Sequence, residues 1–181
     1  NKVLSDYGFV GGGWLNNANG FMGAIAGGEQ NTAFGKYSTV SGGLGNIATG
    51  FYSLVAGGRI NLVMSTYGVI GGGTSNTVSG TTTAIGGGQG NKATSGYAFI
   101  GGGYNNDVSG STSVVAGGER NAVSADFAAV LGGKDNVASA SFSNVGGGSD
   151  NAAQARWATV AGGSSNSAQA QFVIIMLSPH L

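Results

Sequence analysis

Residues able to do chemistry are few in this 181-residue chain. It has no cysteine, and its one histidine, His180, lies in the terminal sequence Ser-Pro-His-Leu. A Ser-His-Asp triad or a multi-histidine metal site is not available around such a residue within one chain. We therefore expect no catalytic residue, no metal ligand and no cofactor.

Glycine runs and paired acids suggest two further kinds of site. The run 71–73 resembles a phosphate loop, but no Lys-Ser/Thr follows it and no strand-to-helix switch is predicted. Asp135 and Asp150 stand one repeat apart and could recruit one cation. Our preferred interpretation is that Arg120 above Asp135, and Glu119 above Lys134, form ordinary exposed charge ladders.

Composition excludes several partners and points to an unusual fold. The chain has 38 glycines and one proline, and its charged residues make up 8% and cancel to zero. Without a basic field, we expect neither nucleic acid nor anionic lipid as a partner. The 41% hydrophobic content disfavours disorder. No apolar run reaches the roughly 18 residues that would cross a bilayer, so we expect no direct membrane insertion.

Glycine pairs recur every 15 residues without a slip, which indicates a repeat protein. The first glycine of each pair is numbered position 1, and the residues at one position of successive repeats form a column. The pairs begin at Gly12, Gly27, Gly42, Gly57, Gly72, Gly87, Gly102, Gly117, Gly132, Gly147 and Gly162. Column 5 is always asparagine: Asn1, Asn16, Asn31, Asn46, Asn61, Asn76, Asn91, Asn106, Asn121, Asn136, Asn151 and Asn166.

Alternating columns within the repeat predict strands. Column 7 is only Ala or Val and column 14 only Val or Ile, whereas adjacent glycines disfavour a helix by about 1 kcal/mol each. Two strands of about five residues would make one coil, stacked on the next at one strand spacing. The sequence thus predicts an all-β parallel β-solenoid (β-roll) of about twelve coils over residues 1–171, on the order of 55 Å long. We expect residues 172–181, an apolar segment, to end the last coil or cap it.

The charged residues indicate which columns face water, because a narrow solenoid core cannot hold an unpaired ion. All of them fall in columns 3, 4, 6 and 10. Alternation then places columns 5, 7, 12 and 14 inside. We expect the column-5 asparagines to be architectural, either as a ladder of stacked amides or as residues in a left-handed turn conformation.

Columns 11 and 13 carry no charge, yet strand alternation points them outward. Column 11 is mostly aromatic and column 13 mostly apolar, so the second strand would display a continuous apolar stripe. A stripe of that size usually marks an association surface, and the simplest match along its whole length is another copy of the chain on a parallel axis. The predicted interface comprises Tyr37, Tyr52, Leu54, Tyr67, Val69, Tyr97, Phe99, Phe127, Phe142, Trp157 and Phe172.

The segment from Gly35 to Gly50, Gly-x-Tyr-Ser-x-Val-x-Gly-Gly-x-x-Asn-x-Ala-x-Gly, resembles the head repeats of YadA-like trimeric autotransporter adhesins. The likeness extends over nearly the whole chain. Those heads are trimeric left-handed parallel β-rolls at the bacterial surface, and similar repeats occur in phage fibres. The resemblance therefore implies a left-handed trimer that is extracellular, at the cell surface or on a virion.

Together these patterns favour a structural and adhesive segment of a trimeric fibre, without catalysis. Its partners would be copies of itself and a host receptor, matrix protein or glycan. Exposed aromatic residues offer possible ligand contacts: Trp14, Phe21, Phe51 and Tyr104. The alternatives are a subunit of a head-to-tail extracellular filament, and a monomeric solenoid that binds ice or polysaccharide. The threonines form no repeated Thr-x-Thr row, which disfavours ice binding.

Overall fold

A computed structural model describes residues 1–176, and in this range the chain is all-β, with 24 short strands and no helix. The odd-numbered strands form sheet A and the even-numbered strands form sheet B, each a parallel sheet of 12 strands. Sheet A contains β1 (Lys2–Val3), β3 (Asn17–Ala18), β5 (Thr32–Ala33), β7 (Ile47–Ala48), β9 (Leu62–Val63), β11 (Thr77–Val78), β13 (Lys92–Ala93), β15 (Asp107–Val108), β17 (Ala122–Val123), β19 (Val137–Ala138), β21 (Ala152–Ala153) and β23 (Ser167–Ala168). Sheet B contains β2 (Phe9–Val10), β4 (Ala24–Ile25), β6 (Thr39–Val40), β8 (Leu54–Val55), β10 (Val69–Ile70), β12 (Ala84–Ile85), β14 (Phe99–Ile100), β16 (Val114–Val115), β18 (Ala129–Val130), β20 (Asn144–Val145), β22 (Thr159–Val160) and β24 (Ile174–Ile175).

Each strand pairs with the equivalent strand of the next coil. Val69 lies opposite Ala84 and Ile70 opposite Ile85, a shift of one 15-residue repeat, and the same register holds throughout both sheets. Column 3 adds a third ladder of single parallel bridges, from Trp14 with Glu29 to Ser149 with Ser164. The predicted parallel β-solenoid of about twelve coils is confirmed.

The strands are two residues long, so the prediction of strands of about five residues was wrong. Turns occupy the remainder of each coil. The amide of Ser38 donates to the carbonyl oxygen of Gly35 at 3.0 Å, which closes a turn over columns 9 to 12. Every residue of columns 4 and 11 has a left-handed backbone, with φ between 53° and 69°. This backbone is not extended, so the strands of columns 6–7 and 13–14 do not continue through these positions.

The core is a thin layer between the two sheets. Ala and Val of column 7 and Val and Ile of column 14 are at most 1% exposed from Ala18 to Ala168. Column 12 completes the interior with residues such as Ser38, Thr83 and Ala98. None of the charged side chains of columns 3, 4, 6 and 10 is buried, as predicted.

The C-terminal segment continues the solenoid as far as it is described. Strand β24 pairs with β22 in sheet B, so residues 172–176 belong to the last coil. Pro179 and His180 lie outside the described residues. Within the described part of the chain, no helix has the length and hydrophobicity needed to cross a membrane.

Candidate association surface

The buried asparagine column holds successive coils together. The side-chain oxygen of Asn46 accepts a hydrogen bond from the backbone amide of Asn61 at 3.0 Å. The side-chain nitrogen of Asn61 donates to the carbonyl oxygens of Gly57 in its own coil, at 3.0 Å, and of Gly73 in the next, at 2.9 Å. The other buried asparagines repeat this pattern. Each side chain therefore pairs the backbone amide of the next asparagine and the glycine carbonyl of its own coil, and it adds a second hydrogen bond to a glycine carbonyl of the next coil that already accepts a backbone amide.

Of the two arrangements expected for these asparagines, the left-handed one does not occur. Positive φ belongs to column 4, the residue before each asparagine, as at Leu15 and Ile60. The ladder also differs from simple amide stacking, since most bonds join a side-chain amide to the backbone. Direct contacts between amide side chains occur only at some steps, such as Asn106 to Asn91 at 3.2 Å.

The charged ladder lies on the surface, as predicted. Arg120 donates two hydrogen bonds to the carboxylate of Asp135, from Nε at 2.6 Å and from Nη2 at 2.7 Å. Lys134 Nζ lies 3.6 Å from Glu119 Oε1. The bond from Arg120 lowers the pKa of Asp135 below its usual range. Within residues 1–176, no cluster of three or more His, Cys, Asp or Glu side chains could hold a metal ion.

The aromatic residues of column 11 stack along the rod, and we call them the aromatic ladder: Tyr7, Tyr37, Tyr52, Tyr67, Tyr97, Phe127, Phe142, Trp157 and Phe172. The rings of Tyr37 and Tyr52 have centroids 4.8 Å apart, and those of Tyr52 and Tyr67 5.2 Å apart, with planes within 13° of parallel. At the other end, Phe142 and Trp157 stack at 4.0 Å. The two tyrosine spacings are close to the rise of about 4.8 Å from coil to coil.

The aromatic ladder is interrupted where Met22, Thr82 and Thr112 occupy column 11. Phe21, from column 10, fills the first interruption and makes edge contacts with Tyr7 and Tyr37. Tyr52, between two rings, is 49% exposed, whereas Tyr97, between the two threonines, is 65% exposed. Column 11 therefore stacks as two runs, with Tyr97 between them.

Columns 11 and 13 also differ in their setting. Column 11 belongs to the turn before sheet B and not to the strand, contrary to the prediction from alternation. Column 13 lies on the outer face of sheet B, where Leu54 and Val69 are half-buried and Phe99 is 42% exposed. The association surface thus consists of the exposed rings of column 11, in the turn before the sheet B strands, and the less exposed apolar side chains of column 13, on the outer face of sheet B.

The possible ligand contacts are not brought together. Trp14 and Tyr104 share column 3 but stand six repeats apart, while Phe51 belongs to column 10, on the turn that carries the aromatic ladder. Phe21 packs within the ladder and also lies 5.2 Å from Lys36 Nζ. The structure therefore shows no single pocket built from these four residues.

The two glycines of each pair have different roles, a distinction that the sequence alone did not reveal. In column 2, a Cβ on Gly88 would lie 2.2 Å from the carbonyl oxygen of Gly103, and φ is 86°, so only glycine fits. In column 1, a Cβ on Gly87 would meet nothing within 4 Å. The same open space occurs at Gly12, Gly27, Gly57, Gly72, Gly117 and Gly132. At Gly42, Gly72 and Gly147, however, φ is 155°, 158° and 151°, so the backbone itself favours glycine at these three positions.

We call columns 1 and 2 together the glycine strip. It runs along the C-terminal ends of the sheet B strands, because each glycine pair follows a strand. The aromatic ladder precedes each strand and runs along the N-terminal ends. Neither surface carries a charged residue. Sheet B is therefore flanked by a row of rings on one side and by a row without side chains on the other.

Stacked parallel sheets with a 15-residue coil define the chain as a β-solenoid. No protein-family model matches the chain, and no curated protein matches it by sequence.

Proposed function

We propose that the chain is a structural and adhesive segment of a trimeric extracellular or viral fibre, acting in attachment to a host or surface and not in catalysis. The observation that supports this most directly is the exposed aromatic ladder. Its rings stand along the solenoid, one in most coils, and they are exposed by 42% or more except at Tyr37 and Phe142. Apolar surface of this extent is typical of an interaction site.

A second copy is the partner that matches this surface over its full length, because it has the same coil spacing. An unrelated globular partner would cover only part of it. A shared axis parallel to the rods keeps equivalent coils at equal heights, and a closed ring of copies leaves no ladder uncovered. A trimer is the ring that agrees with the resemblance to YadA-like heads.

The backbone geometry of column 11 supports the same proposal. All twelve residues have positive φ, a conformation that glycine adopts without strain, yet none of them is glycine. Stacking within the chain offsets part of this cost, but Tyr97 has no aromatic neighbour in column 11. A contact with another copy would offset the rest.

Electron microscopy combined with light scattering tests the proposal. We expect discrete rods with a fixed length on the order of 55 Å and a mass of three chains. Rods that lengthen as the concentration rises would instead support the head-to-tail filament. Dispersed single chains that shift the freezing point or bind polysaccharide would support the third alternative and contradict the trimer.

A further inference from the structure

We infer that the aromatic ladder of each chain packs against the glycine strip of the next chain in the ring. This inference rests on the proposed function, since it names the surfaces by which the copies would associate. The occupant of the ladder is a second copy of this chain, placed side by side with it and in the same direction.

The size of the aromatic ladder agrees with a stable interface. An aromatic side chain contributes on the order of 200 Å² when fully buried, so nine rings that are about half exposed offer on the order of 900 Å². A specific protein interface buries roughly 800 Å² on each partner. The ladder alone is thus large enough, and column 13 adds to it.

The glycine strip is the surface of this chain that best fits those rings. In column 1, glycine is present in every complete repeat, although the chain's own contacts do not require it at positions such as Gly57, Gly87 and Gly117. These three also have no positive φ. A ring pressed against the strip from outside explains the missing side chains, because a Cβ there would hold the ring away from the backbone.

The two surfaces also match in period and in charge. Both repeat once per 15 residues on the same rod, so rings and glycine pairs stay in step over all coils. No charged residue lies in column 1, 2, 11 or 13. Lys36 and Arg156 of column 10 lie over rings of the ladder, 5.2 Å from the Tyr37 ring and 5.6 Å from the Trp157 ring, so a contact that excludes water must leave these two cations at its rim.

The aromatic ladder and the glycine strip lie at opposite ends of the sheet B strands, and this placement determines the symmetry of the assembly. A contact between unlike surfaces is heterologous, and it closes into a ring when successive copies are related by rotation about one axis. With that axis parallel to the rods, the sheet B faces point inward and each ladder meets a glycine strip. An antiparallel pair of facing sheets would instead place ladder against ladder.

Disulfide trapping tests this contact, and the absence of native cysteine gives a clean background. The double variant Thr82→Cys/Gly87→Cys places one thiol on each surface in the same coil, five positions apart along the chain. That separation is on the order of 15 Å along extended chain, too long for a bridge within one chain, which needs Cα atoms within roughly 7 Å. We expect oxidation to give covalent trimers that a thiol reverses, whereas either single variant gives none.

Adding methyl groups to the glycine strip provides an independent test. We expect the triple variant Gly57→Ala/Gly87→Ala/Gly117→Ala to keep its circular dichroism spectrum and to associate at least tenfold more weakly than the wild-type chain. The control Ser109→Thr/Ser124→Thr/Ser139→Thr adds one methyl per coil to the exposed column 8 and should associate like wild type.

The outcomes separate this inference from the proposed function. If the wild-type chain is oligomeric but the double variant does not cross-link, or the glycine variant associates normally, the contact is wrong and the oligomeric fibre stands. If the wild-type chain is monomeric, both are wrong.

Discussion

The backbone amide of Asn91 donates a hydrogen bond to the side-chain oxygen of Asn76, 2.9 Å away in the neighbouring coil. Asn91 repeats the contact towards Asn106, and its side-chain nitrogen donates to the carbonyl oxygens of Gly87 and Gly103. We expect Asn91→Ala to leave the buried Asn106 amide and the part-buried Gly87 carbonyl without a hydrogen-bond partner. Its cost should be on the order of 3 kcal/mol, measured by denaturant unfolding and by faster hydrogen exchange at Asn106. A loss no larger than that of the exposed neighbour Lys92→Ala would contradict the architectural role.

An aspartate in the same place should make stability depend on pH. In Asn91→Asp, an ionised carboxylate would face two carbonyl oxygens, whereas the protonated acid could donate to one of them, so the pKa in the folded state is raised. The variant should therefore be least destabilised below the unfolded pKa of about 3.9, and it should lose stability as pH rises through the folded pKa. Unfolding curves of variant and wild type between pH 3 and pH 7 measure this, and a constant difference would count against it.

Alanine substitutions of two column-12 serines, Ser143 and Ser113, should have different effects on the free energy of unfolding. Ser143 Oγ is buried without a hydrogen-bond partner, whereas Ser113 Oγ donates to Ala125 O at 2.8 Å and accepts from the Ala128 amide at 3.1 Å. We expect Ser143→Ala to be neutral or to stabilise by up to ~1 kcal/mol, and Ser113→Ala to destabilise by ~1–2 kcal/mol. Thermal unfolding of the two variants makes the comparison, and equal effects would refute it.

Thr82 of column 11 is a β-branched residue with φ of 56°, and a substitution that tolerates this backbone conformation should relieve its strain. Asparagine tolerates this conformation better than other L-residues apart from glycine. We expect Thr82→Asn to stabilise the fold by about 1 kcal/mol. The matched control Thr81→Asn, next to it and without positive φ, should change little, and a similar gain in both variants would show that the backbone conformation is not the cause.

The Arg120 to Asp135 pair should be visible in an NMR titration. Because the hydrogen bond from Arg120 lowers the pKa of Asp135, this pair stabilises the fold above the ordinary carboxyl range and is lost as pH falls through the lowered pKa. Arg120→Gln should return the pKa of Asp135 towards its usual value. An unchanged titration curve in that variant would mean that the pair does not persist in solution.

Much of the fold could be predicted because the 15-residue pattern recurs about twelve times along the chain. The glycine pairs gave the period. Columns 7 and 14 gave the core and the charged residues the outer face, because residue type reports burial directly. The pairing of Arg120 with Asp135 also followed, because residues one repeat apart become neighbours across parallel strands.

The turns could not be predicted in the same way. Left-handed backbone is usually marked by glycine or asparagine, but column 11 contains tyrosine, phenylalanine and tryptophan, which suggest a strand. Strand alternation therefore placed Tyr52 and Tyr67 on a strand of about five residues, where the structure has a turn and a strand of two. The glycine strip was missed because residue type does not show which glycine of a pair the backbone requires.

Sedimentation equilibrium of the wild-type chain over a range of concentrations tests the central claim, association of parallel rods through the aromatic ladder, most directly. With a chain mass of 17.6 kDa, we predict a single species of three chains, about 53 kDa, that persists on dilution. A stable monomer of 17.6 kDa across that range would contradict the account.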